Sequence, residues 1–121
     1  MNYEKIVNGV TEKIYEREPS LLQRFGVQGK EKCREDNHHH MKHLETAYEL
    51  DQSAFFTDYA VWLDGILKKH GMESRHLIDN FEIIQAVLAE EKESAEKAER
   101  FHLYLAEAIS VLKGEPAKGG A

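Results

Sequence analysis

Apolar residues recur along the chain at three- and four-residue steps, and nowhere in strict alternation, so the pattern is helical throughout. Tyr3, Ile6, Val7, Val10 and Ile14 share one face and predict a first helix over about 2–16. Glu18-Pro19-Ser20 breaks it, because proline excludes helical geometry from the residue before it. Leu21, Leu22 and Phe25 form a short apolar turn or helix ending near Gly26. A second helix is expected over about 29–50, with Cys33, Asp36/Asn37, His40, Leu44 and Ala47 on its inner face. Asp51-Gln52-Ser53 supplies caps for a third helix over about 53–70, whose face carries Phe55, Phe56, Tyr59, Trp62, Leu63, Ile66 and Leu67. Gly71 can stop it in a left-handed conformation.

From Ser74 to Lys113 there is no glycine or proline. The seam Leu77, Phe81, Ile84, Leu88, Glu91, Ala95, Ala98, His102, Leu105, Ile109, Leu112 steps by four and three in the manner of a heptad. Its middle is small or polar. The segment is either one helix of about 38 residues, near 57 Å long at the usual rise, or two helices bent near 90–94. The fold expected is all-α, with four main helices in a mostly antiparallel bundle and a long C-terminal helix. Residues 1–113 form the single domain and 114–121 a disordered tail. A helix of that length outruns one small domain, so its far end is expected to pair with a second copy in a homodimer.

Composition narrows the function classes. With 121 residues the chain makes one domain, and 41% apolar with 31% charged content is that of a globular protein. The formal charge of −6, with no isolated basic tract, argues against binding a nucleic-acid backbone. No apolar run reaches the roughly 18–20 residues that span a bilayer. Met1-Asn2-Tyr3-Glu4-Lys5 lacks the build of a signal peptide, and the single Cys33 excludes an internal disulfide; both point to the reducing cytoplasm.

The candidate chemistry centres on His38-His39-His40 and His43, four of the seven histidines within six positions. Histidine titrates near neutrality and is the commonest metal ligand. At about 100° per residue, His40 lies inward with Leu44 and Ala47, while His38 faces water and His39 lies on the flank. A buried imidazole needs a partner, and Asp36 or Tyr59 is in position to be one. In the bland reading this is a satisfied core histidine. In the functional reading His40, Asp36, Tyr59 and Trp62 line a small ligand or sensing pocket. A second class is a metal-binding, diiron-like bundle with redox activity. It rests on two Glu-x-x-His pairs, Glu35/His38 and Glu99/His102, which are the motifs such bundles use. Cys33 stands among Glu31, Glu35 and Asp36, which raise rather than lower a thiol pKa. No phosphate loop, nucleophile elbow or His-Glu-x-x-His motif occurs, and no cofactor is named by the pattern.

Residues 18–90 carry a further likeness. The stretches are Glu18-Pro19-Ser20-Leu21-Leu22-Gln23-Arg24-Phe25-Gly26 and Gly29-Lys30-Glu31-Lys32-Cys33-Arg34-Glu35-Asp36, then His40, Leu44, Ala47, Phe56-Thr57-Asp58-Tyr59-Ala60-Val61-Trp62-Leu63 and Ile66-Leu67. This resembles the bacterial helical sensor or regulatory domains found N-terminal to cobalamin-binding or other signalling modules. The resemblance implies a helical sensory or interaction domain without chemistry of its own, working with a signalling partner. By position it singles out Cys33, Asp36, His40, Tyr59 and Trp62 as ligand-binding residues. An Asp-x-His-x-x-Gly cobalamin loop does not occur, and ten residues after Trp62 the chain has Met72-Glu73 instead of Glu-His. The resemblance therefore implies the sensor or partner half of such a system.

Overall fold

A computed structural model describes residues 1–115. Of the tail expected over 114–121, residues 116–121 lie outside the described residues. Five helices and no strands occur among them: α1 (Tyr3–Arg17), α2 (Ser20–Leu50), α3 (Ser53–Lys69), α4 (Ser74–Leu88) and α5 (Ala95–Leu112).

The boundaries follow local chemistry. Asn2 Oδ1 accepts from the Lys5 amide and starts α1. Pro19 separates α1 from α2. Asp51 ends α2 in the left-handed region, at φ 52°, a conformation that aspartate tolerates better than most residues. At the start of α4 the Glu73 amide donates to His76 Nδ1 at 3.0 Å, and buried Asp64 on α3 accepts from Ser74 Oγ at 3.0 Å.

Helix α2 is two helices joined at a kink: the short apolar helix from Ser20 ends at Gly26, as expected, and the longer one follows it directly to Leu50. The Gly26 backbone, φ 67° and ψ −168°, lies in a region essentially restricted to glycine. The kink turns Phe25 back over Gly29, so closely that a Cβ there would sit 2.4 Å from the Phe25 Cβ. Leu22, Phe25 and Val27 are exposed around it. Gly26→Ala is expected to loosen this segment by about 1–3 kcal/mol. Amide exchange over residues 20–28 should accelerate by about tenfold or more while α3 keeps its protection. Unchanged exchange there would contradict this account.

The long C-terminal helix is replaced by two. Residues 89–94 connect α4 to α5. Glu90-Glu91-Lys92-Glu93 offers no apolar side chain to continue the seam, so burial has nothing to hold a helix there. The two halves then pack against one another instead of extending in line. With this break, helix length no longer argues for a homodimer.

Helix α1 packs on α2 and α4, α3 on α5, and α2 on α3. One core results, with Val7, Leu44, Phe56, Phe81, Ile84, Phe101 and Leu105 all removed from water. Lys97 ties α1, α2 and α5 together. Its ammonium lies 2.5 Å from Glu45 and 5.4–5.7 Å from the centres of the Tyr48, Tyr3 and Phe101 rings, and Tyr3 donates its hydroxyl to the same Glu45. Burial and the Glu45 hydrogen bond push the Tyr3 phenol up to about 12. No helix among the described residues is long and apolar enough to cross a membrane.

Candidate functional site

Two layers of polar and aromatic side chains lie along the seam between α2 and α3, one buried and one open. The buried layer begins with Asn37, fully enclosed on α2. Asn80 on α4 donates to Asn37 Oδ1 at 2.7 Å, and Asn37 Nδ2 donates back to Asn80 Oδ1 at 3.2 Å and to the Cys33 carbonyl at 3.0 Å. Every polar atom of the buried amide is thus engaged, as burial requires.

One turn further, His40 is 2% exposed. Its Nδ1 shares a 2.7 Å hydrogen bond with the Tyr59 hydroxyl, and its ring meets Phe81 edge-on at 5.3 Å. Burial, and then the neighbouring His43 and His39, depress its pKa to about 3, so the ring is neutral at physiological pH. Tyr59 is held in the opposite sense. Burial and the Asp36 carboxylate raise its pKa, so the phenol keeps its proton and can donate it to Nδ1.

Asp36 and Cys33 flank this layer, both half-buried. Burial raises the Asp36 pKa, with Lys32 at 3.7 Å opposing. Burial, then the charge of Asp36, pushes the Cys33 thiol up to about 11. A thiol in that state carries almost no thiolate at neutral pH and is a poor nucleophile.

The open layer is on the other side of Tyr59. The His43 ring stacks on the Tyr59 ring at 3.7 Å between centres and 12° between planes, and its Nδ1–H donates to the His39 carbonyl at 2.7 Å. Phe55 stacks beyond His43, with centres 5.8 Å apart. Trp62, one turn along α3, has its ring centre 6.4 Å from that of Tyr59. His43, Phe55, Asp58, Tyr59 and Trp62 line a cleft of about 410 Å³. Trp62 is 62% exposed.

The residues singled out by the sequence are therefore divided. Cys33, Asp36, His40 and Tyr59 come together along the seam. Trp62 does not join them: the buried face of α3 is Phe56, Ala60 and Asp64, which turns Trp62 outward. Tyr59 alone belongs to both layers. Asp58, one turn before Trp62, was missed, and His43, counted in the histidine cluster, was not assigned to the pocket. Each was readable as a neighbour only once the phase of α3 was known.

The two Glu-x-x-His pairs lie apart in role. Glu35 is exposed, and His38 Nε2 is 3.3 Å from Glu4 of α1. Glu99 and His102 both face water on α5, because Ala98, Phe101, Tyr104 and Leu105 take its inner face. Among the described residues no group of three or more histidine, cysteine or carboxylate side chains is placed to hold a metal ion. No protein-family model, curated protein or solved structure matches the chain.

Proposed function

We propose that this chain is a non-enzymatic helical regulatory domain that docks a partner protein through the aromatic cleft on α3. The observation that carries this reading is Trp62, exposed beside a cleft built from three further aromatic or imidazole rings. Large aromatic side chains left in water at a concave surface are the residues that dominate protein interfaces. The likeness of residues 18–90 to helical sensor domains supports the same class. The short connections at 51–52 and 70–73 support an antiparallel order for α2, α3 and α4, and the lone Cys33 supports a reducing, cytoplasmic setting.

Tyr59 supplies the route for a signal. Its ring is a wall of the cleft, and its hydroxyl is bonded to buried His40. A partner that displaces the ring strains a hydrogen bond inside the core, so occupancy outside and packing inside are linked.

A photo-crosslinking amino acid at position 65, exposed one turn beyond Trp62 on α3 with open space beside it, introduced in the cell that makes the protein, is expected to give a discrete heavier adduct. The same group at Glu107, exposed on α5, is expected to give none. Absence of an adduct from position 65, or identical adducts from both positions, would refute the reading. Trp62→Ala should abolish partner binding yet change stability by no more than about 0.5 kcal/mol, as for other exposed sites.

A further inference from the structure

The cleft has a chemical bias that an ordinary apolar contact face lacks. Asp58 is exposed within it, between Phe55 and Trp62 on the same helix face, and takes part in no hydrogen bond or ion pair among the described residues. Aromatic faces attract cations through their quadrupole, and a carboxylate beside them adds a full charge. The protein already uses this combination internally, where Lys97 lies among Tyr3, Tyr48 and Phe101 with Glu45 as its counter-ion.

The two arrangements differ in shape. Lys97 has rings on three sides and about a quarter of its side chain exposed, an enclosure that suits a compact ammonium. The cleft is open, and two of its lining rings are the flat Trp62 and Tyr59, 34° apart, with one face of Tyr59 covered by His43. A planar guanidinium stacks on such faces and presents paired N–H groups at its edge to a carboxylate. A quaternary ammonium has no N–H for Asp58 and needs a closed cage. The volume, about 410 Å³, is within the roughly 300–1,000 Å³ of ligand clefts. The net charge of −6 favours a basic partner at longer range.

We propose that the cleft receives an arginine side chain of the partner protein, stacked on Trp62 and Tyr59 and paired with Asp58. This rests on the reading of the α3 face as a docking surface and names what that surface recognises.

Trp62 is the only tryptophan in the chain, so its fluorescence reports the site alone. The full chain is titrated with the capped peptide Gly-Leu-Arg-Leu-Gly, and with versions in which citrulline or lysine replaces arginine. The arginine peptide should change Trp62 emission saturably, and the uncharged citrulline peptide should bind about tenfold more weakly. Asp58→Asn should weaken the arginine peptide by about the same factor. Glu107→Gln, which removes one exposed negative charge outside the cleft lining, should not. Circular dichroism checks that both variants fold.

Equal binding of the citrulline peptide, or no effect of Asp58→Asn, would overturn the proposal. So would lysine or tetramethylammonium binding as tightly as arginine, which would make the site one for ammonium groups. A concentration-dependent change in emission without any peptide would assign the cleft to a second copy of the chain. If position 65 crosslinks a partner while the arginine peptide fails, only the arginine assignment falls. If neither succeeds, the docking surface itself falls.

Discussion

Lowering the pH from 8 to 4.5 is expected to remove about 3 kcal/mol of unfolding free energy through His40 alone. The ring is neutral in the fold, with its pKa depressed from 6.5 to about 3 by burial. Below pH 6.5 the unfolded chain takes up a proton that the folded chain refuses until about pH 3. The unfolded state therefore binds more protons across that window, and stability falls as pH falls, by at most about 1.4 kcal/mol per unit. The groups around the ring do not rescue it. His39 and His43 on α2 oppose its charging, α3 presents the neutral Tyr59 hydroxyl, and α4 presents Phe81. Asp36, whose pKa is raised, works in the opposite direction at acid pH and must be separated out.

The double substitution His40→Leu with Tyr59→Phe does this. It removes both partners of one hydrogen bond, so neither is left unpaired in the core. The variant should be folded at pH 8, and the difference between wild type and variant should swing by about 3 kcal/mol towards the variant by pH 4.5 in urea titrations. Parallel pH curves for the two proteins would show that His40 is not the group responsible.

The second large effect is expected at Asn37. Asn37→Asp keeps the size and changes only the chemistry. Two acceptors, the Cys33 carbonyl and Asn80 Oδ1, would lose the amide that now donates to them and face a buried negative charge. A loss of about 3 kcal/mol or more is expected at neutral pH, the usual cost of an uncompensated buried charge. The loss should shrink at low pH, where a protonated carboxyl can donate again. Replacing Asn37 and Asn80 together by leucine should cost much less, since no polar group is then stranded. A neutral Asn37→Asp would mean that the amide pair is not closed to water as described.

Much of the architecture was legible because its signals are local. Pro19 and the Gln52-Ser53 turn mark helix ends, and three- and four-residue spacing fixed the inner face of α2, including His40, from Leu44 and Ala47. The errors came where spacing alone was ambiguous. The seam from Leu77 to Leu112 reads as a heptad even across Glu91, since a pattern of positions does not register that nothing there is buried. Carrying the phase through that gap put His102 inside. In the structure Ala98, Leu105 and Ile109 of that seam are buried, but the inner face of α5 also takes Phe101, Tyr104 and Ala108, and Ala95 and His102 turn to water. On α3 nearly every third or fourth residue is aromatic or aliphatic, so several faces were plausible. Packing chose Phe56, Ala60 and Asp64, and left Trp62 outside. The end of the short apolar helix at Gly26 was legible too, although the chain passes through that kink straight into the rest of α2.

The break between α4 and α5 also sets the order in which the molecule can be completed during translation. Helix α5 leaves the ribosome after the other four, yet it supplies Phe101, Leu105 and Ala108, all fully buried, and it is the helix on which α3 and α4 both pack. Until it arrives, the faces of α3 and α4 on which it packs lie uncovered, and a nascent chain of four helices is adhesive. The acidic stretch Glu90-Glu91-Lys92-Glu93 emerges directly behind that surface. Charge next to an uncovered apolar face is the sequence device that delays aggregation. The same residues that end α4 thus guard the growing chain during the interval before its core closes.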